Sequence, residues 1–511
     1  MEHDRSPKSG KRLLVGLGIV AVVCYLLNDL VLDGHPVTYD DRAMHFKYGS
    51  IGSDNLSRGF PYRIWQVLPE MFPEHLPCGK PKSYEAFGLT RDPNSSVDRP
   101  IGLSKRWRLG IGYTVGINCA FCHVSTVRPT PDSYPRIILG MPANKVNAES
   151  FFRFLFAVVE DPKFTADNVL RHIQKKGQLG YWQTFIHRYV LIPAFRDGGK
   201  RMKHEFGFLD RRPTPFGPGR VDTWAYYKVH KLQDSFWLFE KLPRFGRYTI
   251  EMDPGSLAGL ADFPALWREK TDNGFLHWDG NNQSVQERNI TAALGAGATP
   301  ATLDLPAVTR ISQWFESPDY QVETYHEIAP NPKPDPVLFK TLASQGANIF
   351  DKNCKHCHAA YWVHTSGLVG IDEIGTDRAR LETFSEALRD KLNEVRHLSM
   401  WKLENYRKTY GYANLLLTGI WLRAPYLHNG SVPTLWHLLQ KPEWRPKRFC
   451  RGNDLYDWEN VGFAWELTDE QCPGFFKYDT ALQGNGNGGH TYGTELPDQE
   501  KRALIEYLKT L

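Results

Sequence analysis

Apolar residues recur at helical spacing in several stretches of the chain, whereas alternating, strand-like patterns are scarce. Two internal segments, Ala148–Glu160 and Asp234–Leu242, show the helical spacing. It is clearest in the final segment, where a helix starting at Pro497 brings Leu504 and Leu508 onto one face. The 43 glycines and 34 prolines indicate long irregular connections between such elements. The pattern predicts a mainly α fold with long loops.

The longest apolar run lies near the N-terminus. Residues 13–27 contain no charge, the apolar character resumes as far as Leu32, and four basic residues precede the run. This length fits a membrane anchor, the core of a cleaved signal peptide, or a buried helix of a cytosolic protein. No small residues at alternate positions follow the run, as a cleavage site would require, which favours an anchor through residues 13–32. The preceding basic residues then face the cytoplasm and the rest of the chain lies outside it.

A proline-rich segment divides the remaining chain. Residues 328–339 contain four prolines within seven positions, which favours an extended linker. The sequence therefore predicts an N-terminal tip and anchor (1–34), an N-terminal domain (35–327), a linker (328–338) and a C-terminal domain (339–511).

Each of the two predicted domains contains one Cys-x-x-Cys-His motif. Two thiols at this spacing lie on one helical turn, where they can add to the vinyl groups of a haem while the histidine binds the iron. A redox dithiol or a zinc site formed by the four cysteines leaves both histidines unexplained, and a disulfide framework does not explain the spacing. Covalent haem is also attached outside the bacterial cytoplasmic membrane, which together with the anchor predicts a bacterial inner-membrane protein whose bulk lies in the periplasm. The predicted ligands are Cys119, Cys122 and His123 for haem one, and Cys354, Cys357 and His358 for haem two.

The settings of the two motifs differ. Gly346 and Phe350 precede Cys354 by eight and four residues, which predicts a helix with one face towards haem two. The C-terminal helix is expected to cross it, as in a small cytochrome c domain. Haem one lacks this approach, because the residues before Cys119 are glycine-rich and β-branched.

The second axial ligand decides whether an iron transfers electrons or binds oxygen. For haem two the candidates are His490, His428 and Met400, and the glycines around His490 favour that residue because they let the backbone pass close to a haem face. For haem one, Met141 follows His123 by only 18 residues, so an open position is favoured.

Composition and charge limit the classes of molecule that the protein is expected to bind. The net charge of +5 arises from 62 basic and 57 acidic residues without a dense basic run, which gives no support for a nucleic-acid partner. The aromatic content of 13% suits the walls of a large flat apolar ligand. In an oxidising compartment Cys450 and Cys472 are able to pair.

Several motifs resemble those of a known superfamily. The segment Thr418–Leu439 is similar to one that lies against the C-terminal haem in bacterial di-haem cytochrome c peroxidases and the MauG type, and Leu276–Asn289 resembles their Trp-Asp-Gly stretch. Gly217–Thr223 and the ending Asn485–Leu511 resemble the rubber-oxygenase, or RoxA-like, branch more closely.

This resemblance implies a division of labour. The N-terminal haem of the rubber oxygenases binds dioxygen at an open face, and their C-terminal haem has two histidine ligands and relays electrons. Trp278 matches the tryptophan beside the active haem. Arg288 stands where the peroxidases have glutamine, and Ala298 where they have a catalytic glutamate, which argues against ordinary peroxidase chemistry. Arg288 is expected to steady charge on bound oxygen, or to pair with Asp279 or a haem propionate.

Two hypotheses follow. The first is a di-haem oxidoreductase with dioxygen or peroxide chemistry at haem one and electrons supplied or accepted by a protein or the quinone pool. The second is a membrane-anchored cytochrome that only transfers electrons. Some members of the superfamily bind calcium between the domains, so Ca²⁺ is a further candidate cofactor.

Overall fold

The computed structural model describes residues 16–20, 22–24, 33–56, 58–77, 80–229, 231–232, 248–249, 257–269, 275–330, 335–358, 367–397, 400–466 and 474–511. The predicted helix Asp234–Leu242 and most of the predicted anchor lie outside these residues. Residues 16–20 and 22–24 are helical. Within the described residues, no helix combines the length and the apolar character needed to span a bilayer.

The helices are α1 Arg42–Tyr48, α2 Tyr62–Met71, α3 Ala148–Glu160, α4 Ala166–Lys176, α5 Tyr181–Ile186, α6 Ile192–Glu205, α7 Thr223–Val229, α8 Val285–Gly295, α9 Leu305–Glu316, α10 Tyr325–Ile328, α11 Pro336–Asn353, α12 Lys355–His358, α13 Ile371–Ile374, α14 Ala379–Thr383, α15 Glu386–Asn393, α16 Leu435–Leu438 and α17 Asp498–Leu508. A π-helical turn, His187–Leu191, joins α5 to α6.

The strands are β1 His35–Pro36, β2 Phe60–Pro61, β3 Leu103–Arg108, β4 Gly112–Ile117, β5 Val124–Val127, β6 Arg136–Leu139, β7 Arg220–Val221, β8 Lys231–Leu232, β9 Tyr248–Thr249, β10 Ala261–Asp262, β11 Leu368–Gly370, β12 Arg396–His397, β13 Trp401–Lys402, β14 Gly411–Ala413, β15 Arg448–Arg451, β16 Tyr456–Asp457, β17 Gly462–Phe463 and β18 Phe476–Asp479.

Helices predominate, but the fold is mixed rather than mainly α. The largest sheet is antiparallel with the order β1-β3-β4-β2, and the other strands described form two-stranded ribbons. The sequence pattern did not reveal β4 because Thr114–Ile117 are buried without alternation. All the ribbon strands described have only two to four residues, too few for a periodic pattern.

Helices α11 and α17 pack closely against each other, as predicted for the C-terminal half. A side chain at Gly346 would place its Cβ 2.0 Å from the carbonyl oxygen of Ala503, so glycine permits the close crossing. Leu504 and Leu508 of α17 are also buried. Helix α11 begins at Pro336, inside the predicted linker, where proline fits the first helical position and Asp335 caps the helix.

One hydrophobic core runs through both halves of the chain. It includes Phe46 from α1, Phe350 from α11 and Leu504 from α17. Polar contacts join the same halves, since the Asp454 carboxylate accepts hydrogen bonds from Thr126 at 2.8 Å and from Lys145 at 3.0 Å. The residues of the two predicted domains therefore share one packed interior.

Candidate haem sites

The second motif lies at the junction of α11 and α12. Cys354 is the C-cap residue that follows α11, and Cys357 and His358 lie on the single turn of α12. The Nδ1 atom of His358 lies 2.9 Å from the carbonyl oxygen of Leu415. A proton on Nδ1 makes this contact a hydrogen bond and leaves Nε2 free to bind a metal ion.

His490 lies opposite His358. Their ring centroids are 6.3 Å apart and their planes are inclined by 43°. Two imidazoles bound to one metal ion at about 2.0–2.1 Å each have ring centres roughly 6 Å apart. The observed spacing therefore fits two axial nitrogen ligands on one iron.

The backbone around His490 approaches this site closely. Gly489 has φ +71°, and a Cβ added there would lie 2.3 Å from the backbone carbon of Gly375. His490 itself has φ +45°, and its N–H donates to the carbonyl oxygen of Ile374 at 2.7 Å. Glycine at position 489 thus allows the loop to pass beside α13 and to present the imidazole to His358.

Arg445 holds this loop from the other side. Its buried guanidinium donates to the carbonyl oxygens of Asn487 at 2.7 Å, Gly489 at 2.8 Å and His490 at 3.1 Å. Burial lowers the pKa of Arg445 to about 10, so the group stays charged at neutral pH. The three bonds fix the backbone that supports the His490 ring.

The two histidines line a cavity of about 1510 Å³, open solvent included, which also has an apolar wall. Cys354, Cys357, His358 and His490 all line it. The apolar lining includes Phe350, Leu435, Leu438, Leu439, Leu504 and Leu508. Two thiols, two opposed imidazoles and an apolar wall together fit a covalently attached haem.

The other two candidate ligands of haem two are placed differently. His428 lines the same cavity, but its Nε2 lies 3.0 Å from the Tyr412 hydroxyl and the two rings stack at 4.2 Å. Met400 is 67% exposed, which removes it from the buried site.

The first motif follows β4 rather than a helix. The Asn118 side chain accepts a hydrogen bond from the Ala120 N–H at 3.0 Å and so caps the turn that holds Cys119. The Nδ1 atom of His123 lies 2.8 Å from the carbonyl oxygen of Pro264, an arrangement that again leaves Nε2 for a metal ion. Among the described residues no imidazole ring contacts that of His123 as His490 contacts His358, although the buried His277 is close enough to His123 for the charges of the two rings to interact. Met141 is fully buried in the shared core.

Zinc and disulfide interpretations of the motifs do not fit the structure. All four motif cysteines are described and none of them is in a disulfide. The one group of three or more potential metal ligands found among the described residues is Glu74, His75 and Asp161, so the cysteines do not converge. Cys450 is disulfide-bonded, but its partner lies outside the described residues, and the pairing with Cys472 stays a prediction.

Trp278 lies on the wall of the haem-two cavity. Its indole N–H donates to the carbonyl oxygen of Asp262 at 2.9 Å. Phe263 lines the same cavity, and its ring centroid is 6.4 Å from that of His123. The cavity thus extends from the second motif to a direct neighbour of the first.

Arg288 pairs with a residue that the sequence did not indicate. Its Nη1 donates to Oε1 of Glu269 at 2.7 Å, and its Nη2 donates to Oε2 of the same carboxylate. Asp279 instead pairs with Arg380 at 3.0 Å, so the expected alternative of an Arg288–Asp279 pair is wrong. Both members of the Arg288–Glu269 pair are largely buried.

Two residues near the first motif were missed at the sequence level. Glu269 has no motif around it, and His277 stands in the Trp-Asp-Gly stretch only as the residue before Trp278. The Nδ1 of His277 lies 3.9 Å from Oε1 of Glu269. Burial, followed by the charge of Arg288, holds the pKa of His277 well below its usual value. Glu269 and His277 stand out as candidate functional residues because both are titratable and buried, and burial cannot be read from the sequence.

Comparison with known proteins agrees with a haem protein. Residues 411–450, which include His428, match the family of RoxA-like, cytochrome c-like domains. Two relatives from Sinorhizobium fredii, both described as uncharacterized proteins (y4iM and y4iJ), are 29% identical over 296 residues and 26% identical over 383 residues. The matches cover 50% and 57% of this chain, and 65% and 63% of the relatives, just under two thirds of their length. The family match supports a haem-containing cytochrome with covalently bound haem c.

Proposed function

We propose that the protein is a di-haem c-type cytochrome in which haem two relays electrons and haem one performs oxygenase-like chemistry on dioxygen or peroxide. The observation that supports this division is the contrast between the two histidines of the motifs. His358 has a second imidazole opposite it at 6.3 Å, whereas His123 has no such partner among the described residues. An iron with two protein ligands transfers electrons, and an iron with one open face binds oxygen.

The Arg288–Glu269 pair supplies a fixed charge beside haem one. Burial lowers the pKa of His123, and the positive charge of Arg288 lowers it further. This electrostatic effect means that Arg288 lies near His123. The bidentate contact with Glu269 holds the guanidinium in one orientation. A preoriented cation stabilises negative charge that develops next to it. We assign Arg288 this role, with Glu269 as its positioning residue.

Trp278 is proposed to lie on the path between the haems. It shares a cavity wall with the ligands of haem two and with Phe263, the neighbour of His123. Its hydrogen bond to Asp262 fixes the ring in place.

The proposal includes attachment to the bacterial inner membrane through residues 13–32, with the rest of the chain in the periplasm. Electrons would come from, or pass to, a protein or the quinone pool. The support is the apolar N-terminal run with its preceding basic residues. Calcium between the domains rests on the resemblance alone.

A cytochrome that only transfers electrons is the alternative function, and the paired imidazoles of haem two are compatible with it. Carbon monoxide distinguishes the two functions because it binds only an open ferrous iron. The first proposal predicts two haems per chain and a carbon monoxide-induced Soret change from one of them. The absence of any change would favour the electron-transfer function.

Three variants test the ligands of haem two. His490→Ala removes the opposed imidazole, and we expect haem two to become high-spin and to bind carbon monoxide as well. Met400→Ala is the control, because this exposed side chain lies away from the cavity. If His490→Ala keeps a low-spin haem two, His490 is not the ligand, and His428→Ala then tests the remaining candidate.

A further inference from the structure

One side of the N-terminal half exposes an unusual number of large apolar side chains. They are Leu109 (48% exposed), Tyr113 (43%), Tyr181 (91%), Trp182 (59%), Phe185 (44%) and Tyr189 (64%). We name these six residues the aromatic surface. Scattered exposed apolar residues are normal, but a contiguous group marks a site of interaction.

Contacts join Trp182, Phe185 and Tyr189 to one another and to the β3–β4 turn, and Tyr181, Leu109 and Tyr113 adjoin these residues along the chain. The rings of Trp182 and Phe185 stack with centroids 5.7 Å apart, and those of Phe185 and Tyr189 are 5.0 Å apart. A Cβ placed on Gly110, in the turn between β3 and β4, would lie 3.8 Å from Nε1 of Trp182. The exposed face of α5 therefore continues onto the tip of the β3–β4 hairpin, where Leu109 and Tyr113 lie.

The chain enters the described fold beside this hairpin tip. Strand β1 pairs antiparallel with β3, with His35 opposite Trp107 and Pro36 opposite Arg106. Continuing that register by two residues places Asp33 level with Leu109. The Asp33 carbonyl oxygen also accepts a hydrogen bond from Arg106 at 3.1 Å, which holds this end of the chain against β3.

The residues before Asp33 are the apolar run 13–32. If this run spans a bilayer up to Leu32, the next Cα lies only about 3.8 Å further along the chain. The membrane surface then lies beside the hairpin tip and the aromatic surface. Tryptophan and tyrosine are enriched where proteins meet the headgroup region of a bilayer. Lys175, exposed at the end of α4 shortly before Tyr181, adds positive charge that anionic headgroups attract, whereas the neighbouring Lys176 is paired with Glu70.

We propose that the aromatic surface rests in the headgroup region of an anionic phospholipid bilayer, next to the span formed by residues 13–32. This inference depends on the membrane attachment included in the proposed function. It assigns the protein a fixed orientation on the membrane, with the β3–β4 hairpin and α5 facing the lipid. A single span alone would leave the periplasmic part free to tilt.

Photocrosslinking tests the contact directly. Full-length protein is prepared with benzoylphenylalanine in place of Tyr181, and the control has the same amino acid in place of Tyr134. Tyr134 has matched chemistry and exposure (95%) but lies in the β5–β6 connection, outside the aromatic surface. Both proteins are placed in nanodiscs of phosphatidylcholine and phosphatidylglycerol, irradiated and analysed by mass spectrometry.

The expected result is a mass increase of one phospholipid at position 181 and none at position 134. Protein retained in the nanodisc without a lipid adduct at position 181 overturns the proposed contact while the span stands. A crosslinked dimer at position 181 would assign the surface to a second copy of the chain and also overturn the proposal. Protein that does not stay with the nanodisc refutes both the attachment and the contact. The haem assignments are judged separately, from the carbon monoxide spectra.

Discussion

Adding one methyl group at Gly489 should separate His490 from haem two without removing the ligand. The Cβ of an alanine there would lie 2.3 Å from the backbone carbon of Gly375, 2.4 Å from the Ile374 carbonyl oxygen and 2.4 Å from the Thr376 nitrogen. All three are backbone atoms, and ordinary contact begins at 3.4 Å, so the loop must move by about 1 Å. Metal–ligand distances tolerate deviations of only about 0.2 Å. The displacement therefore exceeds what an axial bond can absorb.

The expected phenotype of Gly489→Ala is a high-spin haem two and a carbon monoxide-induced Soret change from both ferrous haems instead of one. Gly488→Ala is the matched control, because its Cβ would meet nothing closer than the Gly375 carbonyl oxygen at 3.7 Å. Absorption spectroscopy and electron paramagnetic resonance report the spin state, and circular dichroism verifies that both variants are folded. If the two variants have the same low-spin spectrum, the assignment of His490 as the axial ligand is refuted.

Three further predictions concern the attachment of haem, the ion pairs between the halves and the core. Cys354→Ser combined with Cys357→Ser should halve the haem content per chain measured as the pyridine haemochrome; an unchanged content would contradict covalent attachment there. Burial raises the pKa of Asp454, but Lys145 and other partners outweigh it and hold the pKa below its usual 3.8, so its stabilising effect is present above about pH 4 and is lost as the pH falls through the folded-state pKa. Asp454→Asn should therefore lower the free energy of unfolding in urea at pH 7, and its difference from the wild type should shrink in acid; a difference independent of pH would exclude this origin. Leu504→Ala should cost about 2–5 kcal/mol of unfolding free energy because it removes a buried side chain from the shared core beside the haem-two cavity, and a cost below that range would mean that neighbouring side chains move to fill the space.

The sequence was most informative where a feature depends on neighbouring residues. The motif cysteines follow from local spacing, and the crossing of α11 and α17 follows from Gly346 and the apolar face that contains Leu504. The placement of His490 opposite His358 agrees with the glycine argument, although the two residues are far apart in the chain. A glycine next to a ligand indicates that the backbone approaches another group closely there, and this constraint can be read from the sequence alone.

Features formed by distant partners could not be predicted in the same way. The Arg288–Glu269 pair joins residues 19 positions apart in the sequence, and no spacing rule links them. No motif surrounds Arg445, and the three carbonyl oxygens to which it donates lie more than 40 positions away in the sequence. Strand β4 was missed because a strand buried on both faces lacks the alternation that identifies half-buried strands.

Because the two halves share one interior, the C-terminal half cannot readily be exchanged for that of a relative. Phe46 of α1 belongs to the same core as Phe350 and Leu504, which flank the haem-two cavity. Exchanging the C-terminal portion for that of a relative would therefore present mismatched shapes to the N-terminal side chains of this core, such as Tyr325, whose ring packs against Trp421 and Trp458. We expect functional chimaeras only when the N-terminal contact residues are transferred with it, so recombination at the proline-rich segment should rarely produce folded protein.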